Sequence, residues 1–304
     1  MEKINILLAT YNGERYIEQQ ILSLLAQTER SWTCYIHDDG STDNTVEIIK
    51  KWANIDKRIV LIEDGVSLKN AGKNFLHLLK YSKSDFVCFC DQDDVWLDSK
   101  LEKLFSTIKQ KNNTIPQVVF SNAYLWDDDK NFIHDKAILA FPKRCKDLLF
   151  LNCGIQGASC IFNKKMKDIL INDLIYMCMH DYYLTLAGIF LGEIDYINEN
   201  LMLYRQHSNN VTGNADGNFI KKIKNFFSRN IPVVNTEHYK SLECFYEKWN
   251  KEIKGNDKKL ICDFFNMRNM GCIGKIFYVL KNKYTLYNSK FLLIAKIIFR
   301  PYYG

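Results

Sequence analysis

Through residues 4–121, short apolar runs with β character alternate with segments of helical period, and no other feature restricts the fold of this chain as much. INILLAT (4–10) stops at Asn12-Gly13, after which Ile17, Ile21, Leu24 and Leu25 recur at helical spacing. WTCYIH (32–37) reads as a second strand, and Asp43 is placed to cap a helix carrying Val46, Ile49 and Ala53. RIVLIE (58–63) is a third strand, and Phe75, Leu78 and Leu79 mark the next helix face. DFVCFC (85–90), LEKLFSTIKQ (101–110) and QVVFS (117–121) continue the series as strand, helix and strand. Such alternation predicts right-handed βαβ units and an α/β, Rossmann-like, mostly parallel sheet flanked by helices.

In sheets of this kind ligands gather outside the carboxyl ends of the strands. Three strand ends carry polar clusters: Thr10-Tyr11-Asn12, Asp38-Asp39-Gly40-Ser41, and Asp91 to Asp94. All three are expected to face one crevice. Like charges packed this closely repel, and desolvating them is costly. DQDD (91–94) is therefore either a solvated acidic turn or a site for a divalent cation. Hard oxygen ligands of this type favour Mg²⁺ or Mn²⁺ bridging a diphosphate. HDDGSTDNT (37–45) supplies a turn and a cap through Gly40, Ser41 and Asp43, which leaves Asp38 and Asp39 over. A carboxylate there can accept the N3–H of uracil or thymine, which cytosine and adenine ring nitrogens do not offer.

The second half is less regular. Residues 141–166 place Gly154 and Gly157 in an apolar stretch, as a loop lining a cleft would. HDYYLTLAGIFLG (180–192) reads as a helix opened by His180-Asp181, where Asp181 is either a cap or a general base. EIDYI and LMLYR follow as strands, and HSNNVTGNADGN (207–218) as a flexible loop. His207 is a surface histidine or a metal or phosphate ligand, and Arg205 is placed to pair with phosphate oxygens. There is no Gly-x-Gly-x-x-Gly and no Gly-x-Ser-x-Gly, and the spacing from Gly65 to Gly72-Lys73 is too long for a phosphate loop.

Charge separates two regions. Residues 1–215 hold 24 Lys and Arg against 28 Asp and Glu, whereas residues 216–304 hold 17 against 7. The basic tail is expected to be helical and to meet an acidic surface. Its final stretch, 271–303, interleaves Lys and Arg with Ile, Leu, Phe and Tyr, which suits peripheral contact with an anionic membrane better than nucleic acid. No run reaches the roughly 18 apolar residues of a spanning helix, and MEKINILLAT does not read as a signal peptide. Ten cysteines without a CxxC pair point to a reducing compartment, so a cytoplasmic location is expected. Cys88 and Cys90 share a strand face and read as core residues rather than half a zinc site.

ATYNGERYIEQQILSLLAQT, HDDGSTDNT and FCDQDDVW, in that order, resemble the inverting glycosyltransferases of family 2 with a GT-A fold, over about residues 3–215. The resemblance implies a GT-A domain over 1–215 with the basic helical tail over 216–304. It implies a nucleotide-diphosphate sugar donor, a divalent metal and a single displacement at the anomeric carbon. Thr10, Tyr11 and Asn12 resemble nucleotide-pocket positions, and Asp39, beside Asp38, resembles the base-binding carboxylate. Asp91 and Asp93 resemble the Asp-x-Asp pair, with Asp94 and His207 as further metal ligands. Asp181 resembles the catalytic base, and Gly154, Gln156 and Gly157 fall on the acceptor side. DQDDVW, HDYYLTLAGIFLG and LYRQHSNNVTG together are similar to bacterial rhamnosyltransferases of the family. That narrower likeness implies a dTDP-L-rhamnose donor, or another dTDP- or UDP-sugar, and a glycan acceptor that is often lipid-linked. His180-Asp181 stands where many members have Glu-Asp. A non-catalytic nucleotide-sugar binding protein on the same fold is the reading from a different class.

Overall fold

The computed structural model describes residues 4–127, 131–137, 141–171, 176–207, 228 and 230–304. Its first half runs β1 (Ile4–Thr10), α1 (Ile17–Leu25), β2 (Trp32–Asp38), α2 (Thr45–Ile55), β3 (Ile59–Ile62), α3 (Ala71–Leu78) and β4 (Phe86–Asp91). There follow β5 (Val95–Trp96), α4 (Lys100–Lys109), β6 (Gln117–Asp127), β7 (Asn131–His134) and α5 (Cys145–Leu148). The second half adds β8 (Cys160–Asn163), α6 (Lys164–Ile171), α7 (His180–Leu191) and β9 (Glu193–Arg205). Among the described residues four tail helices close the chain: α8 (Thr236–Trp249), α9 (Gly255–Asn266), α10 (Cys272–Asn282) and α11 (Lys290–Phe299).

Among the described residues the strands form one nine-stranded sheet in the order β3-β2-β1-β4-β8-β6-β9-β5, with β7 on β6. β3, β2, β1 and β4 pair in parallel, as do β6 and β9, while β8 enters antiparallel between β4 and β6. Side chains alternate between faces along a strand. In β1, Ile4, Ile6 and Leu8 pack with Ile17, Ile21 and Leu24 of α1, while Leu7 joins Phe75, Val87 and Phe89 on the other face. Helices cover both faces, which is why the parallel strands read as unbroken apolar runs.

Several boundaries differ from the sequence reading. Asp43 lies ahead of the α2 cap, Asn44, and accepts the Thr45 N–H at 3.0 Å. The two strands expected after α7 are one long β9, whose pairing with β6 shifts register near Asn122. The loop expected over 141–166 contains α5 and β8. The tail does not stand apart, because Val279, Tyr284, Leu286, Leu293 and Ile297 lie in the same continuous core as Leu7, Val87 and Phe89. The loop expected over 207–218, from residue 208 onward, and the boundary near 215 lie outside the described residues.

Candidate active site

The carboxyl ends of β1, β2 and β4 meet, as the alternation required. The β1 pairing places Thr10 beside Asp38 and Ala9 beside Asp91. Asp38 turns inward. Its carboxylate accepts Thr10 Oγ1 at 2.9 Å, Ser41 Oγ at 2.5 Å, and the N–H groups of Gly40 and Ser41 at 3.1 and 2.7 Å. Four bonds fill a carboxylate's acceptor capacity. Asp38 and the buried Thr10 therefore fix the turn instead of facing a donor, which corrects their expected place among the ligands. Asn12 adds to the same lacing: its N–H donates to Ser41 Oγ at 2.7 Å and its Oδ1 accepts the Thr42 N–H at 2.8 Å. Tyr11 stays open, with 57% of its surface exposed.

Asp39 faces the other way. It accepts the Leu68 N–H, Ser67 Oγ at 3.3 Å and the Asn70 N–H at 3.0 Å. Three bonds leave one acceptor position on this carboxylate.

At the acidic tip, Asp94 is 0% exposed and its Oδ1 accepts the Arg205 N–H at 3.2 Å, while Oδ2 has no partner among the described residues. Burial, then Asp93 and Asp91, push Asp94 well above the usual carboxylate range. Asp91 is pushed up to about 7, first by burial and then by Asp93 and Asp181. Lys100 lies buried beneath them, its Nζ 3.6 Å from the Trp96 ring centre and donating to the Ala158 carbonyl at 2.5 Å. His207 Nε2 stands 2.8 Å from Asp93 Oδ2, and the ring stacks on Tyr16 at 4.9 Å.

Arg205 does not line the crevice as expected. It is 2% exposed, donates from Nε to the Asp93 carbonyl at 2.7 Å and from a terminal nitrogen to Gln19 Oε1 at 2.5 Å, and lies over the rings of Tyr16 and Trp126. A guanidinium held by this many partners positions the acidic loop; it would have to leave them to reach a diphosphate. Gln92 was missed by sequence reasoning. Its amide pairs both ways with the Tyr11 backbone, at 2.9 and 3.0 Å, tying the tip to β1.

The oxygen ligands and mutual repulsion of Asp91 and Asp93 fit a hard divalent cation. The four-residue ligand set expected from the sequence does not fit as stated. Asp94 is enclosed, and among the described residues the three-residue group with ligand atoms within 4.8 Å of one another is His37, Asp64 and His77. One or two tip carboxylates completed by donor phosphates match the way Mg²⁺ is commonly held.

Asp181 opens α7, and its Oδ1 accepts the Tyr182 N–H at 2.6 Å. Burial raises it to about 6. Its neighbour His180 is packed against Phe75 and Phe89 at 4.1 and 4.8 Å, and burial lowers it to about 3, so it is neutral and adds no charge beside Asp181. Gly154 and Gly157 press on this turn. A Cβ at Gly154 would stand 2.5 Å from Thr185 Oγ1 and 2.8 Å from the Asp181 carbonyl; one at Gly157 would stand 2.7 Å from His180 Nε2. Both amide atoms of Gln156 are buried and unpartnered among the described residues. Gly154→Ala is expected to cost about 1–3 kcal/mol and to slow the chemistry by shifting the α7 turn. Chemical denaturation and a rate assay check it, and an alanine variant as stable and active as the parent would refute the close-contact argument.

Residues 5–170 match the family described as Glycosyl transferase family 2. The chain belongs to that family. This glycosyltransferase is 30% identical over 299 residues to the dTDP-rhamnosyl transferase RfbG of Shigella flexneri, covering 90% of this chain and 92% of the relative. It is 30% identical over 197 residues to WfgD of Escherichia coli, a UDP-Glc:alpha-D-GlcNAc-diphosphoundecaprenol beta-1,3-glucosyltransferase, covering 64% and 73%. Its fold resembles that of the mannosyltransferase PcManGT from Pyrobaculum calidifontis in complex with GDP-Man and Mn²⁺, with a TM-score of 0.55 at 12% identity over 98% of this chain and 86% of the other. The glycosyltransferase thus has the GT-A architecture expected from its sequence, with the tail helices packed onto it.

Proposed function

We propose that the enzyme transfers a sugar with inversion from a dTDP- or UDP-sugar, foremost dTDP-L-rhamnose, to a hydroxyl of a lipid-linked glycan. The arrangement that supports the chemistry is a buried carboxylate, Asp181, at the start of α7 against Gly154 and Gly157, with Asp91 of the acidic tip within its electrostatic reach. A base on the acceptor side, across the anomeric carbon from the departing diphosphate, suits in-line displacement. Asp181 takes the proton of the acceptor hydroxyl as that oxygen attacks the anomeric carbon. Gly154 and Gly157 let their loop pack directly on the α7 turn that carries Asp181, and the buried, unpartnered Gln156 amide between them would have to turn outward to meet an incoming sugar. Asp91 and Asp93 would hold the divalent ion, which supplies neutralisation of the departing diphosphate. Tyr11 offers an open ring for the base to lie on. Similarity to the rhamnosyl transferase over nearly the whole chain supports the rhamnose donor; similarity to the glucosyltransferase makes UDP-Glc the second reading.

The remaining acceptor position on Asp39 should favour bases that carry an N3–H. Losing one hydrogen bond to a charged group costs roughly 1.5–3 kcal/mol, or about ten- to a hundredfold in affinity. Calorimetry with Mn²⁺ should therefore rank dTDP and UDP above CDP and ADP by that factor. Equal affinities would remove Asp39 from the base pocket. A turnover screen with dTDP-rhamnose and UDP-Glc then decides the sugar.

The acceptor reading extends to the tail. α10 exposes Ile273 (85%), Phe277 and Leu280, spaced i, i+4 and i+7, and α11 exposes Phe291 (74%), Ile298 and Phe299. Exposed Lys281, Lys283 and Lys290 flank them. No helix among the described residues is long and apolar enough to cross a membrane. An apolar face ringed by lysines fits an anionic bilayer surface, each cation adding about 1 kcal/mol that fades with salt. The protein should co-sediment with anionic liposomes at low salt, and a variant with Ile273, Phe277 and Phe291 all changed to Ser should not. Point changes are the proper probe, because deletion would remove Val279, Leu293 and Ile297 from the core. Equal sedimentation of the two proteins would assign the face another role.

A further inference from the structure

On the far side of β2 from the acidic tip's own contacts, His37, Asp64 and His77 bring together two imidazoles and a carboxylate, with ligand atoms all within 4.8 Å of one another. His37 is the penultimate residue of β2, Asp64 lies two residues past β3, and His77 lies on α3. His37 Nε2 is 3.2 Å from Asp64 Oδ1, and His77 Nε2 is 2.6 Å from Asp64 Oδ2. The two rings lie 4.9 Å apart.

The proton arrangement around His37 is the informative part. Its Nδ1 is 2.6 Å from Asn74 Oδ1, and Asn74 cannot be turned round, because its Nδ2 donates to the His37 carbonyl at 3.2 Å. Nδ1 therefore carries the proton and donates it. In a neutral ring that leaves a lone pair on Nε2, and this lone pair faces a carboxylate oxygen. Two acceptors do not bond each other. Either the ring, 1% exposed, is an imidazolium, or a cation belongs between Nε2 and Asp64.

We propose that His37, Asp64 and His77 form a second metal site, for a transition ion of the Zn²⁺ type, distinct from the acidic tip. Two neutral imidazoles with one carboxylate suit zinc better than magnesium, which prefers oxygen ligands. Zinc bonds of 2.0–2.1 Å in a tetrahedron set ligand atoms about 3.3 Å apart. The 3.2 Å between His37 Nε2 and Asp64 Oδ1 already matches this, and His77, whose Nε2 meets the other oxygen, Oδ2, at 2.6 Å, has to shift for an ion to enter. His77 and Asp64 are the partly exposed members, with 12% and 21% of their side chains open, so they can yield and also admit the ion. The outer partners are in place. Asn74 holds His37 in the tautomer a ligand needs, while Tyr81 Oη at 2.6 Å and the Val66 N–H at 3.0 Å orient Asp64. Bound metal would pin the loop after β3 to β2 and α3.

The full-length protein, stripped with a chelator, is titrated with Co²⁺ in excess Mg²⁺ and then with Zn²⁺. The expected result is one equivalent of Co²⁺ bound with visible ligand-field bands, no thiolate-to-cobalt charge-transfer band, and displacement by Zn²⁺. Zn²⁺ should also raise Tm. His77→Gln and Asp64→Asn should each abolish the bands, Asn74→Ala should weaken binding by about 10–100-fold, and Asp93→Asn should leave it unchanged. Circular dichroism identifies any variant that fails to fold, and the second ligand variant then carries the test. No saturable Co²⁺ binding would make the cluster a His37 imidazolium ion pair and overturn the proposal. So would a thiolate band, or bands that survive in both ligand variants. None of these readouts uses a sugar donor, so failure here leaves the transferase reading untouched.

Discussion

Asp181→Asn is expected to lose about 10²–10⁴-fold in transfer rate and yet to melt at a higher temperature than the parent enzyme near neutral pH. The rate loss follows from removing the group placed to take the acceptor's proton. The stability gain follows from linkage. Burial raises Asp181 to about 6 in the folded chain, above its ordinary 3.8. Between those values the folded state binds more proton than the unfolded one, so stability falls as pH rises through about 6. At pH 7 the ionised carboxylate costs on the order of 1–3 kcal/mol. Asparagine removes the charge and keeps an oxygen for the Tyr182 N–H. The Tm advantage should shrink as pH falls from about 6 and approach zero only near pH 3, below both values, where Asp181 is neutral in both states. In the parent, kcat/KM should decline as pH drops below about 6, since a general base works deprotonated. Metal-dependent binding of dTDP should survive the substitution. A variant that keeps transfer within tenfold of the parent would leave Asp181 as nothing more than the first turn of α7.

Asp93→Asn should reduce donor affinity and turnover together, by about a hundredfold or more in kcat/KM, with little change in Tm. Asp93 is partly open, its side chain 19% exposed, and its visible partner is His207 Nε2 at 2.8 Å, which an amide oxygen can replace. What asparagine cannot replace is the charge. After burial, Asp93 is the main influence holding Asp91 up at about 7, so the substitution should also let Asp91 ionise at lower pH. Initial rates at limiting and saturating Mn²⁺, with the melting temperature as control, check this. Full activity at limiting Mn²⁺ in a folded variant would show that Asp93 does not hold the ion.

The frame of the site was legible because burial of both sheet faces writes itself into the sequence. β1, β2, β3, β4 and β6 appear as apolar runs, and their polar ends show where the crevice opens. β8 was not legible: CIFN is four residues long, runs against its neighbours, and sits between β4 and β6 by contacts distant in sequence. Asp38 and Asp39 show the limit most plainly. They are identical in type and adjacent, but successive side chains point to opposite faces, so one closes a turn while the other reaches the loop after β3. Only the register settles which is which. Arg205 presents the same difficulty in another form. Proximity to a loop suggested a phosphate partner, whereas Gln19, Tyr16 and Trp126, all remote in sequence, draw it inward. In the tail, periodicity announced amphipathic helices without saying that one apolar face enters the core and a second faces out.

On the membrane reading proposed above, the shared core of tail and sheet would make the exposed face of α10 and α11 a foot and not a leash. Thr285 bonds to Lys146 and Asp147, and Tyr284 meets Phe150, so the tail is fixed to the segment that runs on into Gly154 beside Asp181. An enzyme standing on a bilayer by such a foot holds its reaction centre at one height and one tilt. The acceptor must then supply the reach. A lipid-borne glycan with too few sugars would leave its terminal hydroxyl below Asp181, and one with too many would carry it past. Rigidity of the joint, with no contact to any individual sugar, would act as a ruler on chain length.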